Sequence, residues 1–278
     1  MSRVSNLRSS LTRPLTALDT LGAQLAFYLG VVKAAPRSVR RYPREILRIL
    51  AEVALGRGAL AVIGGTVGVI LGMTFFTGAQ VGLSGYAALN QLGTAAFSGF
   101  VSAYFNTREI APLVAGIALA ATVGCGFTAQ LGAMRISEEV DALEVMAIPS
   151  MPFLVATRVV GGLIAIVPLY VVGLLASYFA SRLVVTQFYG QSTGTYDQYF
   201  NQFLPPGDVL WSFGKVLVFA VVVILIHCYH GFTASGGPAG VGVAVGRAVR
   251  TSIVAVSVID LFLSMAIWGA STTVRLAG

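Results

Sequence analysis

Long apolar segments alternate with short polar ones along this chain. A helix needs about 20 mostly apolar residues to cross a bilayer. Five segments approach or exceed that length, at roughly 58–82, 110–132, 153–180, 212–230 and 251–270. The stretch 84–105 contains Gly, Asn, Gln and Ser, which favours a re-entrant or interfacial helix over a sixth span. The pattern predicts an all-α integral membrane protein with about five transmembrane helices.

Residues 1–57 follow a different pattern, in which apolar and basic side chains mix at helical spacing. Apolar side chains recur every three or four positions from 15 to 33, including Leu25 and Val32, and Pro36 is expected to end that helix. A second short helix is predicted from about Pro43 to Leu55. Because both are too polar to span a bilayer, we expect an interfacial N-terminal domain at 1–57 and a transmembrane domain at 58–278.

The distribution of charge gives the chain an orientation. Only 10% of its residues are charged, whereas soluble domains carry about 25%. Residues 1–57 hold ten basic and three acidic residues, and the remainder is neutral. Arg108, Arg182, Lys215 and Arg275 are the four basic residues assigned to outer segments, so the positive-inside rule predicts that the N-terminus is inside and the C-terminus outside. Nucleic-acid binding is disfavoured, because the basic residues alternate with apolar ones.

An acidic segment on the inner side is the most informative part of the chain. Ser137 is a suitable N-cap for a helix at 136–148, and Pro149 and Pro152 are expected to close it. Its apolar residues fall on one face and most of its acids lie off that face. A solvated loop helix is the simpler interpretation. Docking of a soluble subunit accounts better for apolar side chains on a surface loop and for acids where basic residues are expected. The segment includes Glu138, Glu139, Asp141, Ala142, Leu143 and Glu144.

This segment resembles the Glu-x-x-Asp-Ala-Leu coupling motif of the MlaE/YrbE permease family. The motif maps onto Glu138, Asp141, Ala142 and Leu143. The Thr107–Pro112 segment is similar to the family's Arg-Glu-x-x-Pro corner, and the stretch from His227 to Phe262 is similar to its last inner loop and final helix. Within the family, the double Glu and the segment around Tyr189 look most like the B-type YrbE subunit of actinobacterial Mce systems.

The resemblance implies a fold, a membrane and a set of partners. It implies an MlaE-like permease in the inner (plasma) membrane of a bacterium, paired with a second YrbE-type permease. It implies an ATP-binding cassette ATPase dimer on the coupling helices, which binds ATP and Mg, and an MCE-domain ring or tube outside. The implied substrate is a lipid, such as a fatty acid, a mycolic acid or a sterol.

The chain departs from the family in its second span. The family often has Glu where this chain has Gln130, and often has Arg near Thr122. These two missing charges put a polar lipid-headgroup contact there in doubt. A partner permease that supplies them would favour a heterodimer.

Two other features have both structural and functional interpretations. Gly64, Gly68 and Gly72 clear one face of the first span for close helix packing, and we assign no ligand to them. Asp260 lies near the middle of the last span, where a carboxylate is a functional candidate by default. A hydrogen bond to Ser or Thr of a neighbouring helix is the favoured interpretation, because no second intramembrane acid or lysine is evident.

The sequence gives little support for chemistry within this chain. Neither of its two lysines, Lys33 and Lys215, stands in the glycine-rich loop that binds phosphates of ATP. His227, Cys228 and His230 are too few for a zinc site, and no nucleophile set is evident. We therefore predict a permease subunit without catalytic residues, metal or cofactor. A solitary secondary transporter and a membrane scaffold for an envelope assembly are the alternatives.

Overall fold

The computed structural model describes residues 2–55 and 65–269, and these two ranges contain helices and no strand. Five of the helices are long and apolar enough to cross a membrane, namely α3, α4, α6, α8 and α9, which confirms the five predicted spans. Numbered in chain order, the helices are α1 Ser2–Arg41, α2 Pro43–Leu55, α3 Thr66–Gln91, α4 Ala95–Ile136, α5 Glu139–Val145, α6 Met151–Phe188, α7 Thr193–Gln202, α8 Pro206–Phe232 and α9 Gly237–Trp268.

The predicted separate helix at 84–105 is wrong. Residues 84–91 continue α3, residues 92–94 form a turn with Gly93 at φ +70°, and the remainder begins α4. Two of the polar side chains of this stretch have partners inside the protein. Ser98 donates to Gln191, and Ser102 accepts a hydrogen bond from Asn106 at 3.2 Å.

The N-terminal helices lie against the bundle. The prediction that Pro36 ends the first helix is wrong, because α1 continues to Arg41 and Ser38 donates to the Pro152 carbonyl at 2.9 Å. Leu25 and Val32 of the predicted apolar face are 59% and 54% exposed, so this face does not pack against the described part of the chain. The apolar side chains of α1 that are buried among those described are Phe27 and Val31. The bounds predicted for α2 are those observed, and Ile46, Ile49 and Val53 form its buried face.

Small residues allow α3 and α6 to pack closely. A Cβ added to Gly78 would lie 2.4 Å from the Ser177 carbonyl oxygen, and one added to Gly82 would lie 2.9 Å from that of Ser181. The Ser181 hydroxyl donates to the Gly78 carbonyl at 2.5 Å. Glycines four residues apart therefore clear a face of α3, as the sequence suggests, but at positions further along the helix than predicted.

The sequence predicts packing at three other glycines, Gly64, Gly68 and Gly72. A Cβ added to Gly72 would meet no atom within 4 Å, so its face of α3 is open in this chain. Gly68 is partly exposed, and Gly64 lies outside the described residues. The predicted close neighbour is therefore not supplied by the described part of this chain at Gly72.

The short helix α7 covers the end of the bundle opposite α5. Tyr196 is buried, and Phe200 lies 5.0 Å from the Tyr178 ring. Arg182 at the end of α6 donates to both carboxylate oxygens of Asp197 at 2.8 Å. Aromatic side chains of the 186–204 segment therefore contribute to packing within the chain.

Candidate functional site

The acidic helix α5 connects two spans at one end of the bundle. Ser137 does not begin this helix as its N-cap: it ends α4, and its hydroxyl donates to the Ala133 carbonyl at 2.9 Å. Glu138 then takes a left-handed conformation with φ +61°, which turns the chain into α5. The helix spans Glu139–Val145 rather than the predicted 136–148.

The C-terminus of α5 is closed by backbone hydrogen bonds before either proline. Ala147 adopts φ +59°, and its N–H donates to the Glu144 carbonyl at 3.0 Å. The Ile148 N–H donates to the Leu143 carbonyl at 2.9 Å. This pair is a Schellman motif. Pro149 follows it, whereas Pro152 lies in the first turn of α6.

One face of α5 is anchored and the other is open. Val140 is buried and Leu143 is partly buried against the bundle core. Val145 and Met146 are 88% and 62% exposed. The predicted coupling residues Glu138, Glu139, Asp141, Ala142 and Glu144 are all exposed.

Three of the exposed acids have short-range partners. Arg135 donates to Asp141 at 2.7 Å, Ser137 donates to Glu139 at 3.0 Å, and Ser150 donates to Glu144 at 2.6 Å. Each partner lies within six residues, so these bonds hold the α5 turn without covering its acidic face. The arrangement exposes an acidic and partly apolar helix surface between the ends of two spans.

A cluster of buried charges lies nearer the opposite end of the bundle. The Lys215 ammonium on α8 is fully buried and forms an ion pair with Asp260 of α9 at 2.7 Å. It also donates to the Arg108 carbonyl at 2.7 Å and to Ser264 at 2.8 Å, and lies 3.3 Å from Glu109. The expected Ser or Thr partner of Asp260 is therefore replaced by a lysine, and the expectation that no lysine is near is wrong.

The Arg108 guanidinium forms the second part of the cluster. It pairs with Asp208 at 2.6 Å and lies 4.1 Å from the Tyr104 ring centroid. The Trp268 indole donates to the other oxygen of Asp208 at 3.0 Å. Arg108 and Lys215, counted as outer-loop charges in the sequence, are thus buried between helices. Of the five charged side chains, Glu109 is the most open, at 35% exposed.

An irregular turn in α4 orients the Arg108 and Glu109 side chains. Residues Asn106–Ile110 form a π-helical turn within α4. Such turns insert one residue into the helix and shift the direction of the side chains around it. Arg108 and Glu109 stand side by side in this turn, so one contacts Asp208 and the other approaches Lys215.

Gln130 lies in a separate polar contact. Its amide donates to Glu52 of α2 at 2.5 Å, and Arg158 of α6 donates to its oxygen at 3.3 Å. A carboxylate of α2 in the same chain therefore lies beside Gln130. Gln130 and Asp260 belong to different contacts and do not form one site.

The described residues contain no group of three His, Cys, Asp or Glu side chains that could hold a metal ion. His227 is buried and its Nδ1 lies 2.8 Å from the Thr128 hydroxyl. This contact packs α8 against α4. Cys125 and Cys228 are free thiols.

The charged cluster was mostly missed by the sequence reasoning. Asp260 was selected, Glu109 was noted only as part of a motif, and Arg108 was noted in that motif and as an outer basic residue. Asp208 and Lys215 lie near the beginning of a span, where charges are common, so position alone did not single them out. A signal was present: Lys215 is one of only two lysines in the chain and lies three residues inside the predicted span.

Comparisons with known proteins match this architecture. The family model of the permease MlaE matches residues 55–266. A probable ABC transporter permease protein of Rickettsia bellii is 30% identical over 191 residues, covering 69% of this chain and 74% of that protein. The chloroplastic protein TRIGALACTOSYLDIACYLGLYCEROL 1 of Arabidopsis thaliana is 29% identical over 223 residues, covering 79% of this chain and 64% of that protein.

The family match covers all five membrane-spanning helices almost completely, together with α5 and the buried charged residues. This chain is a multi-pass membrane protein that belongs to the MlaE permease family of ABC transporters.

Proposed function

We propose that the chain is the transmembrane permease subunit of an ATP-driven, MCE-associated lipid transporter, and that α5 is its coupling helix. The main support for this proposal is the position of α5. Buried Val140 anchors the helix between two spans, whereas its acids and the Val145 and Met146 side chains are exposed. A helix fixed to two spans transmits a push on its outer face to both of them. An ATPase subunit that binds ATP and Mg supplies that push.

The charge of α5 defines the complementary surface on the ATPase. Glu138 and Glu139 extend from its beginning, and Asp141 is 59% exposed despite its pair with Arg135. A groove with basic side chains or free backbone N–H groups fits these acids, and an apolar pocket beside it fits Met146.

A lipid substrate of the fatty acid, mycolic acid or sterol class is supported by two observations. The name of the Arabidopsis relative contains a glycerolipid. The spans α3 and α9 are the least buried of the five, and exposed apolar side chains line both. We place the lipid between this chain and a second permease, along the first, second and fifth spans.

The second permease is part of the proposal. The open face at Gly72 suits a close helix neighbour that residues 2–55 and 65–269 do not provide. Glu52 of the same chain already places a carboxylate beside Gln130, so a partner permease is not needed to supply one there. The argument for a heterodimer from missing charges therefore depends only on the arginine missing near Thr122. In the proposed assembly this chain is the B-type YrbE subunit, its partner is a second YrbE-type permease, and MCE-domain proteins lie on the outer side.

The test is gentle purification of the tagged chain from its native membrane, with mass spectrometry of the proteins that accompany it. We expect an ATPase with a phosphate-binding loop, a second permease and MCE-domain proteins. A Glu139→Lys/Asp141→Lys double variant should lose the ATPase and lipid uptake while it keeps its folded yield. Asp19→Lys, at an exposed acid of α1, is the control. Normal uptake by the double variant would refute the coupling role.

A further inference from the structure

A small polar pocket lies at the same end of the bundle as α5, where α8 turns into α9. Its volume is about 200 Å³, and its lining includes His230 of α8, Thr233 and Ser235 of the turn, and Arg247 of α9. The five spans alternate in direction, so this turn and α5 share one end of the bundle. We infer that this pocket binds the phosphate group of an anionic phospholipid. The inference does not depend on the proposed transport function.

His230 is a buried polar group without a partner. It is 9% exposed, and its ring forms no hydrogen bond or ion pair within residues 2–55 and 65–269. The ring of Tyr229, at 5.5 Å, is its aromatic neighbour. The ring nitrogens of His230 are not among the fully buried unpaired atoms of the described residues, so they are open to the pocket. His230 lines the pocket, so a ligand there can satisfy its ring nitrogen.

Arg247 brings a positive charge to the other wall. It is exposed, and no ion pair with a carboxylate is formed by it in the described part of the chain. A guanidinium binds phosphate oxygens through two parallel N–H groups, which gives both charge and geometry. Nitrogen-bearing side chains from two helices, with no carboxylate among the lining residues, favour an anion.

The turn between α8 and α9 folds tightly over the beginning of α9. Gly236 and Gly237 have φ values of +86° and +70°, so the chain enters the helix through two left-handed residues. A Cβ on Gly240 would lie 1.8 Å from the Ser235 carbonyl oxygen, so this glycine allows the turn to lie against the helix and close one side of the pocket.

The surroundings favour a lipid over free phosphate as the source of the anion. Val243 lines the same pocket and is 56% exposed, so an apolar surface adjoins the phosphate donors. The pocket also lies at the end of the apolar helix α8, where headgroups meet the hydrocarbon layer. A phosphate with acyl chains meets both requirements, whereas inorganic phosphate meets only the first.

The test is native mass spectrometry of the full chain in a nonionic detergent, titrated with dioleoylphosphatidylglycerol. We expect Arg247→Gln to weaken binding of the first lipid about tenfold, and His230→Gln to weaken it several-fold. Arg250→Gln is the matched control, because Arg250 is exposed one turn further along α9 and does not line the pocket. It should leave the affinity unchanged.

Two further probes distinguish the sources of the ligand. Dioleoylglycerol, which lacks the phosphate, should show no dependence on Arg247. Inorganic phosphate at millimolar concentration should compete only weakly. Equal affinity of Arg247→Gln and wild type, or an equal loss in Arg250→Gln, would overturn the site. Full competition by inorganic phosphate would overturn the lipid assignment.

Discussion

The carboxylates of the buried charge cluster and those of the acidic helix α5 differ in burial and in pairing with cations. Asp208, Asp260 and Glu109 each lie within 3.3 Å of a lysine or arginine nitrogen, and the ammonium at the centre of the cluster is fully buried. In α5 the acids are exposed, and Asp141 alone forms an ion pair among the described residues of that segment.

The difference follows from the surrounding medium. A charge buried away from water costs several kcal/mol unless an opposite charge and hydrogen bonds compensate it. The interior of the bundle therefore requires matched partners from several helices. Water solvates the acids of α5, so they do not require buried cations, and their exposed faces remain accessible. The buried charge cluster holds the helices together, whereas the exposed surface of α5 remains available for contact with a partner.

The largest effect is expected for Lys215→Met. This change leaves Asp260 buried without its cation, which should destabilise the protein by about 3–5 kcal/mol. Unfolding in detergent, followed by folded yield and thermal midpoint, measures the loss. Lys33→Met, at the other lysine, which is exposed, should be neutral. A Lys215→Met/Asp260→Asn double variant should recover part of the stability, and a wild-type midpoint for Lys215→Met alone would contradict the comparison.

Gly78→Ala and Gly72→Ala extend the comparison along α3. The added methyl at Gly78 would overlap the Ser177 backbone, and we expect a loss of about 1–3 kcal/mol. The same change at Gly72 meets open space and should stabilise the isolated chain by up to about 1 kcal/mol, since Ala favours helices. Thermal midpoints of the two variants give the answer. Equal midpoints would show that α3 and α6 do not approach closely.

The apolar part of α5 should matter only to a partner. We expect a Val145→Ser/Met146→Ser variant to unfold like wild type, because both side chains are exposed. Its affinity for the ATPase should fall about tenfold, a change of roughly 1.4 kcal/mol. Pull-down titration measures the affinity, and Val39→Ser, at an exposed valine of α1, is the control. Unchanged affinity would separate α5 from the docking surface.

The smallest effect is expected for Asp197→Asn. Its partner Arg182 donates two hydrogen bonds and lowers the pKa of the Asp197 carboxyl, but both side chains are over 40% exposed. After solvent screening, the pair should contribute at most about 0.5 kcal/mol. Because the pKa is lowered on folding, this contribution is present above the ordinary aspartate pKa and is lost as the pH falls through the folded value. Thermal midpoints of wild type and variant should therefore converge in acid.

Periodicity predicted the helices well because it depends on local chemistry. Runs of apolar residues gave five spans, and the alternation of apolar and charged residues gave the bounds of α2. The ends of the spans were less predictable, since polar residues such as Asn106 are compatible with a helix interior once Ser181 satisfies them. Pro36 ended its helix only in the prediction, because docking of Ser38 onto α6 supports the helix beyond it.

The candidate site was predictable in part. The acids of the segment around α5 could be identified because four of them fall within the seven residues from Glu138 to Glu144 and differ from the charge expected of an inner loop. The partners of Asp260 could not be identified, because Lys215 and Glu109 lie 45 and more residues away and the bonds depend on how three helices rotate. Their role required the packed structure.

The sequence by itself determined the class of the protein, its five spans and the presence of an exposed acidic helix. Each follows from residues that are neighbours along the chain. Tertiary structure alone decided that Lys215 meets Asp260, that Glu52 supplies the carboxylate beside Gln130, and that Gly78 rather than Gly72 is covered within this chain. Helix propensity and hydrophobicity do not fix helix rotation. Close packing and the cost of an unpaired buried charge do.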